Sequence, residues 1–345
     1  MRSAYWCNII LKRLFLLAAI VCINCRGMAQ MPDSVKLVLD SSISLLQQFA
    51  LHTKTTNWQQ VKQTAYVKAA HAKTWNELDS TISFLFAAVN DHHGWLSAGD
   101  AELRWNIKPE QHFSAEIKNE IAKGNRIVKK ILPGNIGYLR VPGMMLDTSQ
   151  YNKKAQQLMD SLCALQQAGA TKFIIDLRLN AGGTMFPMIA GLSSLLGNGK
   201  FIGGANSEGV VEEMSVLKNG KFTSADGGMA KVSTACNIWN HTAVVVLTSN
   251  LTGSAGECVA VAFKGRRHTK FIGEPTAGFT IGNNGHWIIP GKAGIVIAES
   301  AIVDRNKTIY YKDVQPDELI WGGDNFDDYL QDKKIQAALK WLKQH

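Results

Sequence analysis

Proline, cysteine and charge are all scarce in this chain, and each scarcity removes a class of protein. Of 345 residues only 8 are Pro and 19% are charged, against 46% hydrophobic. That excludes a disordered chain, a collagen-like repeat and a low-complexity spacer. Three of the six cysteines, Cys7, Cys22 and Cys25, crowd the N-terminus, leaving Cys163, Cys236 and Cys258. An odd number with no CxxC pair is no disulfide framework; buried free thiols are expected, with one bridge left open. None of the nine histidines sits in an HExxH, and the neighbours His92 and His93 point to different faces on most backbones. No metal site is therefore expected. A Walker loop is missing, and no GxGxxG follows the first strand, so no nucleotide or other cofactor is expected either.

What is present begins with a lopsided charge. The 37 Lys and Arg against 28 Asp and Glu leave a net +9. Arg2, Lys12, Arg13 and Arg26 precede every acidic residue, so beyond Ala29 the balance is 33 to 28, or +5. That excess is too diffuse for a nucleic-acid partner, and the nine Trp are scattered as core residues rather than as a stacking platform. The basic start leads into the apolar run 14–21, with Gly27-Met28-Ala29 supplying small residues for cleavage before Gln30. Residues 1–29 read as a signal peptide. The run is too short to span a bilayer comfortably, and no other stretch comes close. An exported protein is expected (periplasmic, cell-envelope or secreted), with no integral membrane span in the mature chain. Neither Cys22 nor Cys25 follows a convincing lipobox.

The length allows one large or two modest domains. Residues 33–92 read as helical, with Thr74-Trp75-Asn76-Glu77 as a capping box ahead of Leu78, Ile82, Leu85, Phe86 and Val89. The segment 100–133 is ambiguous. Beyond Asn135 the texture alternates: strands at 136–141, 173–177, 243–247 and 271–272, and helices at 151–167, 185–196 and 254–264. This predicts an α/β core on a largely parallel sheet. The insert 203–235 predicts a hairpin turning at Asn219-Gly220, residues 286–311 further strands, and 328–342 a closing helix.

Three polar clusters end strongly apolar elements, where α/β sheets carry their sites. In the first, Ser254 stands between a buried strand and a helix, where free amides favour developing negative charge. A nucleophile there has half an oxyanion hole in the Ala255 amide. Ser254-x-x-Glu257 is also a plain capping box, and Thr252 replaces the glycine that opens an α/β-hydrolase elbow. The second cluster is Asp176-Leu177-Arg178-Leu179-Asn180-Ala181-Gly182-Gly183, whose paired glycines allow close backbone approach. It is equally a tight strand-to-helix turn. The third is Asp91-His92-His93-Gly94 at a helix end, where a His is commonly a cap or a surface residue.

Taken together, Gly137 to Pro142, the Asp176 and Ser254 clusters, Gly273-Glu274-Pro275-Thr276-Ala277-Gly278 and Val314-x-Pro316-Asp317 resemble one family. They follow the order and spacing of the C-terminal processing (tail-specific) and tricorn-core serine peptidases, over about residues 135–322. The resemblance implies an α/β fold with a ClpP/crotonase-like spiral core behind an N-terminal helical subdomain. It divides the chain into the signal 1–29, a subdomain 30–130 carrying the catalytic His, and a serine peptidase core 131–345. It implies Ser254 as nucleophile, with Ala255 and Gly182 or Gly183 as oxyanion donors. Phe279 stands where the processing branch keeps its Lys base, so the base falls to His93, as in His–Ser members without a PDZ domain. Asp91, Asn180 and Glu257 are the candidates for orienting it. The expected partner is a peptide or protein substrate, adding as a strand to an edge near the site; oligomeric state is not legible. The alternative is a non-catalytic ligand-binding module on the same scaffold, like the retinoid-binding repeats that resemble this family.

Overall fold

The protein, a computed structural model, is described over residues 31–105, 113–225, 227–238 and 241–345. The expected signal peptide and its three cysteines lie outside the described residues. The chain starts with three helices: α1 (Asp33–Phe49), α2 (Trp58–Ala69) and α3 (Asp79–Ala88). On α1 the buried residues Val35, Val38, Leu39, Ser42, Ile43 and Leu46 recur at helical spacing and make one apolar stripe. The predicted cap ahead of α3 is shifted by one residue. Glu77 accepts from the amide of Lys73 at 2.7 Å, and a 3-10 turn over Asn76–Leu78 precedes the helix. Asn90, at φ 51°, ends the run and turns the chain into Asp91.

The four-residue strand β1 (Trp95–Ala98) comes just before the ambiguous segment, which holds a second, β2 (Ala101–Arg104), then α4 (Ala115–Ala122) and β3 (Val128–Leu132). The helical N-terminal region thus includes short strands as well. Leu96, Ala98 and Leu103 share a core with the first three helices and with Ala293, Ile295 and Ile297 from far down the chain.

The α/β part follows: β4 (Ile136–Arg140), α5 (Tyr151–Gln167), β5 (Lys172–Asp176), α6 (Met185–Gly191), α7 (Ser193–Leu196), β6 (Gly199–Ala205), β7 (Val211–Lys218), β8 (Lys221–Thr223), β9 (Met229–Lys231), β10 (Val244–Thr248), α8 (Ala255–Phe263) and β11 (Thr269–Gly273). Last come β12 (Ile281–Ile289), β13 (Ala293–Asp304), β14 (Ile309–Tyr310), β15 (Glu318–Leu319) and α9 (Lys333–Leu342). A six-stranded sheet runs β15-β11-β10-β5-β4-β3, parallel except at β3. Its central strands are buried on both faces and read as continuous apolar runs. The second sheet is antiparallel, β2-β1-β13-β6-β7-β8-β9, with β12 and β14 also on β13. The predicted hairpin joins β7 to β8: Asn219 and Gly220 lie between the paired Lys218 and Lys221, both at positive φ, as a two-residue primed turn requires.

The main core packs α5, α6 and α8 on one face of the parallel sheet, while α9 covers the other. Each fully buried side chain such as Phe173 or Phe263 contributes on the order of 1.5–3 kcal/mol. Expected as free thiols, Cys163 and Cys236 are instead bonded, because α5 runs beside the segment returning from β9 and brings their Cα atoms to 5.4 Å. Cys258 is free. Among the described residues no helix is long and apolar enough to cross a membrane.

Candidate active site

The parallel pairing of β10 with β5 brings two loops out side by side at the carboxyl ends of the sheet. They are sewn together. Ser249 Oγ donates to the Arg178 carbonyl at 2.7 Å, Thr252 Oγ1 to the Leu177 carbonyl at 2.8 Å, and the Gly253 amide to the Asn180 carbonyl at 3.0 Å. Ser254 then enters α8 at φ 52° and ψ −116°, a conformation that strains any residue with a Cβ. Two glycines let the loops meet this closely. A Cβ on Gly256 would lie 2.4 Å from the Asn180 carbonyl oxygen, and one on Gly182 would lie 2.9 Å from Ser254 Cβ.

Ala255 and Gly183 line the cleft together with Ser254. Ala255 is the first residue of α8, and the first-turn N–H groups of a helix have no partner within it. Gly183 forms an isolated bridge to Met144, in which the Met144 amide reaches the Gly182 carbonyl at 2.9 Å and the Thr184 amide reaches the Met144 carbonyl at 2.7 Å. The intervening residue's own N–H points the other way in such a bridge, and Gly183 lines the cleft with Ser254. The Gly182 amide is different: it donates to Asn180 Oδ1 at 3.1 Å and is committed there.

His93 comes from the loop between α3 and β1. The Asp91 carboxylate, 2% exposed, shapes that loop by accepting from the amides of His93 (2.9 Å), Gly94 (2.7 Å) and Ala298 on β13 (2.9 Å). The two histidines do diverge. His92 turns outward and stacks on Trp105, while His93 enters the cleft and packs against Phe279 with ring centroids 5.1 Å apart. Phe279, standing where a Lys base would be, thus forms a wall for the imidazole. Burial lowers the His93 pKa below 6.5; the Asp91 charge opposes that shift and Arg104 adds to it.

None of the three candidates for orienting the imidazole bonds to it. Its Nδ1 is buried without a hydrogen-bond partner. Asp91 accepts from three backbone amides, and Asn180 Oδ1 from the Gly182 amide. Glu257 accepts from the amides of Ser254 (2.8 Å), Gly278 (2.9 Å) and Phe279 (2.9 Å) and from the Thr276 hydroxyl (2.5 Å). Burial pushes that carboxyl up to about 7 against the pull of these four bonds. Cys258, one turn beyond Ser254, also lines the cleft, and burial pushes its thiol up to about 12, so it stays protonated.

The charged residues of the sequence clusters hold the loops from beneath. Arg178, fully buried, bonds both oxygens of Asp176 (3.0 and 2.7 Å), Asp324 (2.7 Å) and Asp332 (2.6 Å). Burial raises the Asp176 carboxyl, and the guanidinium more than offsets this, holding it at about 2. Lys334, also fully buried, joins Asp324 at 2.8 Å to Glu274 at 2.9 Å. These carboxylates compensate the charge of a lysine sunk beneath α9.

The cleft holding Ser254, His93 and Gly183 has a volume of about 630 Å³. Apolar Tyr151, Met185, Phe186 and Ile302 line it together with Trp95, and Glu212 and Glu213 stand on its rim. Among the described residues no three His, Cys, Asp or Glu side chains converge as a metal-ligand set. Over residues 135–320 the sequence matches peptidase family S41.

The chain belongs to peptidase family S41. This S41 peptidase is similar to the nisin-resistance protein of Lactococcus lactis subsp. lactis, 27% identical over 313 residues, which cover 90% of this chain and 88% of that protein. It is also 28% identical over 178 residues to the carboxy-terminal processing protease CtpA of Bacillus subtilis (strain 168), covering 51% of this chain and 33% of CtpA. Among solved structures, a lipoprotein from Streptococcus agalactiae superposes with a TM-score of 0.63 at 19% identity, over 91% of this chain and 97% of that one. The photosystem II D1 C-terminal processing protease does so at 0.56 and 13% identity, over 84% and 94%. These likenesses carry the fold: an α/β spiral core of the S41 type with a helical N-terminal region.

Proposed function

We propose that this S41 peptidase is an exported serine endopeptidase that cleaves extended peptides or protein tails through an acyl-enzyme. The observation carrying the reading is the meeting, in one cleft, of a strained serine at a helix N-terminus and a histidine from a separate core. Ser254 Oγ attacks the scissile carbonyl while its proton passes to Nε2 of His93. The amides of Ala255 and Gly183 hold the oxyanion, each donor of this kind contributing on the order of 3 kcal/mol to the barrier. His93 then returns the proton to the departing amine, leaving an ester on Ser254. A water deprotonated by the same imidazole cleaves that ester and releases the carboxylate. The basic, apolar and small-residue pattern of residues 1–29 supports export.

The test is labelling by a fluorophosphonate probe together with turnover of a peptide library. Ser254→Ala should abolish labelling, and both Ser254→Ala and His93→Ala should lower turnover by at least a thousandfold with the fold retained. Full activity of Ser254→Ala on every substrate cleaved by the wild type would refute the assignment. Binding of peptides without labelling or turnover would favour a non-catalytic module.

A further inference from the structure

A histidine that takes a proton at Nε2 must carry its own proton at Nδ1, and that N–H needs an acceptor to hold the ring in this tautomer. In His93 the Nδ1 atom is buried and unpartnered, and Asp91, Asn180 and Glu257 accept from other groups and not from the ring. A second orphan lies on a residue already bonded to His93. Asn283, on β12, donates from Nδ2 to the His93 carbonyl at 3.0 Å, while its Oδ1 is buried with no partner. Because Nδ2 must be the donor to a carbonyl, the identities of the two amide ends are settled by the bond itself. The register between β12 and β13 slips between Gly282 and Asn283. Such bulges re-aim side chains, and Asn283 lines the cleft.

We propose that Asn283 is the positioning residue of His93, its Oδ1 accepting the Nδ1–H once the imidazole turns toward it. The inference rests on His93 being the base, and it supplies the third group that the dyad otherwise lacks. A neutral amide suits this site. The charge of Asp91 already favours the imidazolium while its oxygens stay on the backbone, and Arg104 opposes it. An amide acceptor fixes the tautomer without adding a second buried charge.

Nitrogen-15 NMR of the imidazole in full-length wild type and Asn283→Ala tests this without any substrate. The neutral ring of the wild type should carry its proton on Nδ1, and Asn283→Ala should shift that proton toward Nε2. In peptide turnover, Asn283→Ala should lose 10- to 100-fold in kcat with KM within about threefold. Asn283→Asp should recover most of kcat, with the acid limb of its pH profile moved upward by the new carboxylate. A wild-type ring protonated on Nε2, or a tautomer unchanged in Asn283→Ala, overturns the proposal, and the first needs no variant to fold. Failure of the fluorophosphonate to label Ser254 would instead sink the hydrolytic reading and leave the tautomer result to stand separately.

Discussion

Replacing the proposed nucleophile with glycine should make the protein more stable, and the size of the gain follows from one backbone angle pair. Ser254 sits at φ 52° and ψ −116°, a region in which a residue with a Cβ stores about 1–3 kcal/mol. Glycine releases that strain, but it costs about 0.5–1 kcal/mol through the freer unfolded chain. The residue is half-exposed on the cleft, so water fills the space of the lost methylene and no enclosed cavity forms. Ser254→Ala is the matched control: it removes the hydroxyl, keeps the Cβ and keeps the strain. Urea unfolding of the two inactive variants at one pH should therefore find Ser254→Gly more stable than Ser254→Ala by about 0.5–2 kcal/mol. Ser254→Ala itself loses the N-cap hydroxyl of α8 and should lie about 0.5–2 kcal/mol below wild type. If Ser254→Gly is equal to or weaker than Ser254→Ala, the strain is absent and the pre-loaded serine loses its physical basis.

Glu257→Gln removes one oxygen that receives two donors, so stability should drop by about 2–6 kcal/mol, read from the urea midpoint. The Glu257 carboxyl, raised by burial from 4.5 to about 7, keeps its proton longer in the folded than in the unfolded chain. Its contribution is therefore complete below pH 4.5 and disappears as pH rises through 7, a swing of about 3 kcal/mol; the Gln variant should lack that slope. For activity, burial lowers the His93 pKa, so the base stays neutral further into acid, and the acid limb of kcat/KM should fall below pH 6.5. An acid limb above that value would contradict His93 as the base. Gly256→Ala should destabilise by about 1–3 kcal/mol and cut turnover at least tenfold, since its methyl would strike the Asn180 carbonyl at 2.4 Å. Double replacement of Cys163 and Cys236 by Ser should cost about 2–4 kcal/mol in the same assay, as it frees a loop of 73 residues carrying the β7–β8 wall of the cleft.

Local chemistry was readable wherever local rules decide the outcome. The helix over Tyr151–Gln167 follows from its apolar spacing, and the Asn219-Gly220 turn from two residues that tolerate positive φ. The four-residue strands Trp95–Ala98 and Ala101–Arg104 escaped because they join a sheet through β1, whose partner β13 lies some 200 positions away. Distance also hid the Cys163–Cys236 bond and the sunken Lys334, whose carboxylate partners come from separate loops. At the site, the residue types and their order pointed to Ser254, His93 and the glycine pair. Which donors each acceptor takes was not readable: Asp91 and Asn180 bond backbone amides, Glu257 takes four donors, and none of the three bonds the imidazole.

The loop bearing His93 is fastened to β13 through the amide of Ala298, and the same strand ends in the core that seats Ser254, where Ile302 packs. One strand, β13, thus gives the loops of His93 and Ser254 a common frame, and neither loop is held against the other without it. During synthesis that strand emerges after both reactive groups.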